Sequence, residues 1–353
     1  MIGISLLTLV PGVVGGSETY SRELLRALAR VGELEYRVFT STLAPDAADG
    51  LPGHSVRHYH AARSAPGRVL AMTAAAVSPG LRRELGLERL DGLHFPLTVA
   101  VPPAAQPPAA VTLHDLQHEL QPQFFSRPER AWRRLAYRPS LRRARLVIVP
   151  SEHVRETVLE RIGLPPERVR AIPHGVDHER FRPSSAPREP FLLYPANRWP
   201  HKNHERLFEA FALLRRTRPE LSLVLTGSGH DRLPAPAGVE ARGYVTREEL
   251  ADLYARAAAL VFPSLYEGFG QPPLEAMASG CPAAVSRAGA LPEVCGEAAR
   301  IFDPTSPEEI AEAVLDVLAD PEPYVRHGLE RAAEFTWERS ARAHEQVYRE
   351  LVS

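Results

Sequence analysis

The sequence predicts an α/β protein built from two doubly wound, parallel-sheet halves facing a cleft. Three observations predict it. The chain has 353 residues, too many for one small core and suited to two domains of roughly 150 to 200 residues each. Short apolar runs alternate with stretches of helical periodicity, which is the rhythm of βαβ units. That rhythm halts at a Pro/Ser-rich break, RPSSAPREP at 182–190, and then restarts.

In the first half, residues 2–7 read as a buried strand and 13–17 as a glycine-rich turn. Residues 18–30 have helical periodicity, with Tyr20, Leu24, Leu25 and Leu28 on one face. Further strands are expected at 36–40, 92–95, 110–113, 146–149 and 169–172, with helices at 128–143 and 152–162. Ser151 stands where a helix N-cap belongs. In the second half, strands are expected at 191–194, 221–225, 259–262, 283–286 and 299–302. Helices are expected at 204–216, 247–257, 273–278 and 307–319, and an amphipathic helix at 334–351 follows the last strand. The predicted domains are therefore 1–182 and 190–334, with the final helix, 335–353, crossing back to the first. Open sheets of this kind bind ligands beyond the carboxyl ends of their strands.

Composition narrows the class. The chain is 44% hydrophobic and 24% charged, with a net charge of −1, a globular profile. Residues 1–180 carry +5 and residues 181–353 carry −6. A net charge near zero with no recognition motif argues against nucleic-acid binding. Cys281 and Cys295 form neither a disulfide framework nor a metal-binding CxxC, which suits a reduced, cytoplasmic compartment. The first ten residues are apolar but lack the basic flank of a secretion signal. The longest uncharged run, 95–113, is broken by five prolines, so no spanning helix is expected there. Between Arg127 and Arg145 eight arginines face one acid, Glu129, and aromatics accompany them from Phe124 onward. A basic amphipathic helix at 124–145 can touch an anionic membrane surface, or simply be a solvated helix. Lys202 is the chain's single lysine beside 41 arginines. Arginine-rich coding explains the bias, and the one exception points to a site that wants a compact ammonium.

Two constellations carry chemistry. In YEGFGQPPLEAMASG at 266–280, a buried strand runs into Gly268 and Gly270, and Pro272 and Pro273 mark a helix start. Backbone amides and a positive helix end make an anion site. Glu267 and Glu275 flank it, eight positions apart. Carboxylates there suit hydroxyls rather than phosphate, so phosphate plus polyol, a nucleotide sugar, is the outline. Taken singly, Glu275 reads as an acid balancing a helix dipole and Glu267 as a solvated loop residue. In NRWPHKNH at 197–204, Arg198 and Lys202 lie at a strand's carboxyl end, where two cations can hold a diphosphate, and Asn203 can cap the following helix. No DxD triplet appears, so no metal-held diphosphate is expected and protein groups replace the cation.

These residues resemble retaining glycosyltransferase family 4, of GT-B fold with two Rossmann-like domains. The resemblance rests on the Glu267/Glu275 pair, the Arg198…Lys202–Asn203 loop and the run GYVTREELADLYARAAALVFPSLYEGFG. The segments GGSETY, IPHGVD and the pair His114–Asp115 match as well. It implies that Arg198 and Lys202 grip the donor diphosphate and that Glu275 binds the ribose. It implies that Glu267 contacts the transferred sugar while Gly268, Phe269 and Gly270 supply backbone donors. Gly16 would approach the phosphate, His114 would reach the sugar, and Gly227 and Tyr244 would line the base pocket. At His174 the family often has Asn, so this position departs from the family's pattern. The segment HDLQHELQPQFFSRPER is similar to that of mannosyl- and rhamnosyltransferases, which favours a GDP-mannose donor. The resemblance implies a metal-independent, retaining hexosyltransfer to an acceptor hydroxyl, of a saccharide, lipid-linked sugar or small molecule. The expected setting is the cytoplasm, peripheral to the inner face of the cell membrane. Other functions on the same fold are a nucleotide-sugar epimerase, a phosphorylase, or a non-catalytic subunit, although a subunit would be expected to lose the charged residues kept here.

Overall fold

The computed structural model describes residues 1–353 except Val14, Ala104, Ala105 and 231–235. Val14 belongs to the predicted turn at 13–17, and Ala104 and Ala105 to the proline-broken uncharged run at 95–113; all three lie outside the described residues. Two compact units emerge, Met1–Gly175 with Trp337–Ser353, and Val176–Thr336.

The first unit runs β1 (Ile2–Leu6), α1 (Gly16–Val31), β2 (Tyr36–Thr40), β3 (Gly53–Ser55), α2 (Ala65–Ala76), α3 (Pro79–Leu85), β4 (Gly92–Phe95), β5 (Ala109–Thr112), α4 (Gln117–Leu120), α5 (Arg127–Arg143), β6 (Leu146–Val149), α6 (Glu152–Ile162) and β7 (Val169–Ala171). Its strands form one parallel sheet in the order β3-β2-β1-β4-β5-β6-β7. Every residue of β1, β4 and β6 is buried. Burial on both faces explains why these strands read as unbroken apolar runs rather than alternating ones. The helix expected at 18–30 is α1, and its predicted apolar face is the buried one. Ser151 caps α6, its side chain accepting from the amide of Val154 at 3.2 Å.

The second unit runs β8 (Glu189–Pro195), α7 (His204–Thr217), β9 (Ser222–Thr226), β10 (Val239–Ala241), α8 (Arg247–Arg256), β11 (Ala257–Phe262), α9 (Gln271–Ala278), β12 (Ala283–Ser286), α10 (Leu291–Cys295), β13 (Arg300–Phe302), α11 (Pro307–Ala319) and α12 (Glu322–Ala333). Its parallel sheet has the order β10-β9-β8-β11-β12-β13. The last helix, α13 (Trp337–Val352), belongs to the first unit. Trp337, Ala341 and Tyr348 of α13 share a core with Tyr20, Leu24 and Leu28 of α1.

Several short elements carry no readable signal. The edge strands β3 and β10 have three residues each and only partly buried or exposed positions. In α2 the sequence is apolar nearly all round, so no face declares itself. The Pro/Ser-rich break is not the seam between the units. Phe181 is buried in the second core, and the Arg188 guanidinium donates to the carbonyls of Ala257, at 2.8 Å, and Gly280. Those contacts fold 182–190 into the second unit, whose edge falls at Val176. Among the described residues no helix is long and apolar enough to cross a membrane.

Candidate active site

In the second unit the chain leaves β8 through Ala196 and Asn197, and two close backbone approaches shape the exit. A side chain on Gly227 would come within 2.8 Å of the Ala196 carbonyl carbon, and its φ of +112° is one that L residues rarely adopt. Glycine is required there for packing. The Asn197 carboxamide oxygen accepts from the Ser228 amide at 2.8 Å and its hydroxyl at 3.0 Å, while the Arg198 amide donates to the Ser228 carbonyl at 2.9 Å. The start of the Arg198 loop is thereby sewn to the turn after β9. The Arg198 guanidinium lies 5.9 Å from the centre of the Phe208 ring on α7.

Lys202 follows. Its ammonium donates to the Glu267 carboxylate at 2.5 Å and sits 5.3 Å from the Phe262 ring centre. Both partners are largely enclosed, with side chains 12% and 14% exposed. Buried Tyr194 fixes the backbone below, donating to the Lys202 carbonyl at 2.6 Å. The Leu265 amide donates to the His201 carbonyl at 2.7 Å. Two loops far apart in sequence thus meet by a side-chain ion pair and a backbone bond. Asn203 does not cap α7 with its side chain, contrary to expectation. It adopts φ +60° and donates instead to the carbonyls of Pro263, at 3.0 Å, and Pro304, at 2.7 Å. That tie holds the lysine loop against the end of β11.

The glycine-rich loop has its own supports. The Ala290 amide donates to the Glu267 carbonyl at 2.9 Å, and a side chain on Gly289 would fall 2.2 Å from that carbonyl oxygen. Gly270 takes φ +121° ahead of α9. Pro272 and Pro273 have no N–H, so any anion at this helix end would be met by amides of residues 268–271 alone. Phe269 is buried and packs edge-on to Phe335 at 6.0 Å. Glu275 is buried on α9, where its carboxylate accepts from the Tyr254 hydroxyl at 3.3 Å and from the Arg247 guanidinium at 3.4 Å. Burial, with the charge of Glu275, pushes the Tyr254 hydroxyl well above its ordinary pKa. Gly227 donates to the Gly243 carbonyl at 2.7 Å, next to Tyr244, which is 86% exposed.

Beneath this site lie His204 and His230, rings 5.0 Å apart. Burial, then His230, Arg198 and Lys202, hold His204 down at about 3.

In the first unit His114 follows β5. Its Nε2 lies 2.9 Å from the Pro96 carbonyl, which can only accept, so Nε2 carries the hydrogen and Nδ1 keeps a lone pair. Burial lowers its pKa, opposed in part by Pro96 and Asp115, which keeps the ring neutral. Tyr20 meets His114 edge-on at 5.0 Å, and its hydroxyl bonds Thr112 at 3.0 Å and His344 of α13 at 2.7 Å. His174 stacks on Trp337 at 5.9 Å. Gly16 opens α1, with nothing within 4 Å of where a side chain would project.

Within the second unit, then, the structure joins Lys202 to Glu267, ties the Arg198 loop to the Gly227 turn, and seats Glu275 between α8 and α9. Sequence reasoning missed Arg247 and Tyr254 as the partners of Glu275, Asn197 as the loop clamp, and Gly289 as the seat of Glu267. Arg247 and Tyr254 stand in the run read from the sequence, seven apart on one helix, but nothing in that spacing tells which carboxylate they meet. Among the described residues no group of three or more His, Cys, Asp or Glu is arranged to hold a metal ion.

Comparison with known proteins gives consistent matches. Residues 14–180 match the family model described as Glycosyltransferase Family 4, and residues 176–334 match Glycosyl transferases group 1. O-antigen chain mannosyltransferase B of Escherichia coli is 30% identical over 255 residues, covering 65% of this chain and 67% of that protein. MMP alpha-(1->4)-mannosyltransferase of Mycolicibacterium hassiacum is 38% identical over 213 residues, covering 56% of this chain and about half, 52%, of its own length. The solved structure of sucrose-phosphate synthase from Thermosynechococcus elongatus superposes with a TM-score of 0.78 at 23% identity, over 99% of this chain and 98% of that one.

Proposed function

This chain belongs to glycosyltransferase family 4 and is a glycosyltransferase of GT-B fold; from that premise we propose that it transfers a hexose, mannose favoured, from a nucleoside diphosphate sugar to an acceptor hydroxyl with retention and without a metal ion. The observation that carries the reading is the contact of Lys202 with Glu267 at 2.5 Å, which brings the cation proposed for the diphosphate and the carboxylate proposed for the sugar together from two separate loops. Arg198 and Lys202 would take the diphosphate. Its charge grows as the glycosidic bond breaks, so two fixed cations stabilise the transition state more than the ground state. Lys202 is already held in place by Glu267 and Phe262, so little reorganisation is needed. Glu267, relieved of its sole share in the ammonium, would accept from hydroxyls of the sugar. Glu275, held by Arg247 and Tyr254, would accept from the ribose. Amides of Gly268, Phe269 and Gly270 would meet the phosphate and sugar oxygens, and Gly227 and Tyr244 the base.

The residues of the first unit enter the proposal as follows. Gly16 leaves room for a phosphate against the start of α1. His114, neutral with a lone pair on Nδ1, would accept from a sugar hydroxyl. The mannose of the proposed GDP-mannose donor is supported by the two relatives described above, both mannosyltransferases. The acceptor would be a saccharide, a glycolipid or a metabolite, at the inner face of the cell membrane, with segment 124–145 touching anionic lipid. The test is incubation with UDP-, GDP- and dTDP-sugars in chelator, followed by NMR of the products. A transferred or hydrolysed sugar with unchanged anomeric configuration is expected. If no donor binds and none is consumed, the reading fails; an isomerised donor would make the protein an epimerase.

A further inference from the structure

The α2 and α5 side of the first unit plays no part in the donor chemistry, yet its surface is unusual. In α2, APGRVLAMTAAA, Arg68 is the one charged residue, and only Ala71 and Ala75 are buried. Leu70 is 72% exposed, and Val77 just beyond it 81%. On α5, Leu135 is 77% exposed. A surface helix normally turns a polar face to water, and contiguous exposed apolar area marks a contact site. Two exposed apolar residues, Val69 and Leu135, line a cavity of about 330 Å³ between the two helices, walled also by Met72, Ala76, Phe95, Val111 and Trp132.

The cavity offers a ligand little to hydrogen-bond. The Thr73 hydroxyl on its wall donates to the Val69 carbonyl at 2.9 Å, and the Ser140 hydroxyl donates to Ala136 at 2.8 Å while accepting from the Ala100 amide at 3.0 Å. A sugar or nucleotide would leave its own polar groups unpaired there. A hydrocarbon would not. The rim is cationic: exposed Arg143 lines the cavity and exposed Arg142 adjoins it, while Arg138 nearby is paired with the Glu119 carboxylate at 2.9 Å. An apolar hollow edged by guanidinium groups is complementary to an anionic amphiphile.

We infer that this cavity takes one acyl chain of an anionic phospholipid, with the head group at Arg142 and Arg143. The inference rests on the membrane-contact reading above and sharpens it from a charged surface to a chain-binding site. A single chain in a hollow also fixes the orientation in which the unit meets the lipid, which diffuse charge attraction does not.

The full chain is mixed with vesicles of phosphatidylcholine alone or of phosphatidylcholine with phosphatidylglycerol, one or the other lipid carrying bromine at the middle of its acyl chains, and tryptophan fluorescence is followed. Trp132→Phe supplies the background from Trp199 and Trp337. The brominated anionic lipid is expected to quench Trp132. Ala76→Phe, which fills the hollow, is expected to remove the quenching and to weaken vesicle binding about tenfold, the worth of one apolar side chain's burial. Leu135→Asp, on the exposed rim, gives the same readout should the filled variant not fold. Arg142→Gln with Arg143→Gln is expected to reduce the preference for phosphatidylglycerol. Binding to anionic vesicles with Trp132 unquenched overturns chain insertion and leaves surface contact standing. Failure to bind them at all overturns both. Equal quenching by brominated phosphatidylcholine overturns the head-group assignment. A thermal shift with nucleoside diphosphate on the same samples reports the donor site separately.

Discussion

Lys202 spends its charge on one carboxylate and one ring face, and that arrangement sets its expected role. A guanidinium at the same point would be planar and would need a fork of acceptors, whereas Glu267 presents a single oxygen at 2.5 Å. Lys202→Ala is expected to weaken nucleoside diphosphate binding by about 2 kcal/mol, near 30-fold, as for loss of a charge-assisted contact. Lys202→Arg is expected to recover only part of that. Titration calorimetry checks both, and wild-type affinity in the alanine variant would remove Lys202 from the diphosphate site. That a lone lysine mattered was legible from composition. Its partner was not, because residues 65 positions apart meet only once the sheet is assembled.

At the scale of the element, the site is made of strand ends joined by carbonyl and amide contacts. The end of β8 is tied to the turn after β9, the end of β11 to the lysine loop, and the segment after β12 to Glu267. Gly289 shows how tight the last of these is. It has φ +62°, and a methyl group there would overlap the Glu267 carbonyl oxygen at 2.2 Å and its amide nitrogen at 2.8 Å. Gly289→Ala must therefore displace the loop that carries Glu267, besides costing about 1–3 kcal/mol of backbone strain. The expected result is a lowered melting temperature together with turnover reduced more than nucleotide affinity, since Glu275 is held separately by α8. Crystallography or calorimetry showing Glu267 and turnover undisturbed would contradict the seat described. The limits of α6 and α11 follow their serine caps and periodicity closely, while β3 and β10, three residues each at sheet edges, gave no pattern to read.

Over the whole molecule, several histidines are folded in as neutral rings. His118 and His344 of the first unit are held at about 4, and His204 of the second at about 3, against an ordinary value of 6.5. Burial is the leading cause in each. Nearby Arg133 adds to it at His118, and the Ser340 carbonyl partly offsets it at His344. Below pH 6.5 an unfolded chain takes up protons that these rings refuse. Stability is therefore complete above that value and is lost as pH falls through about 4. Scanning calorimetry should show melting temperature declining between the two, and His344→Gln should flatten part of the decline; a flat profile from neutrality down to pH 5 would refute it. Glu84 acts lower. Burial raises it, but the amides of Arg57 and His58 and the imidazoles of His58 and His54 outweigh that and hold it at about 2, so its share is lost only from 4.5 downward. What the sequence by itself determined is the alternation of strands and helices, the glycine and proline punctuation, and the residue types able to hold a diphosphate and a polyol, because periodicity and local backbone chemistry act over a few neighbours. Only the tertiary structure decided which carboxylate holds Lys202, which arginine and tyrosine seat Glu275, and that 182–190 folds into the second unit, because those choices depend on which segments the parallel sheet order brings side by side.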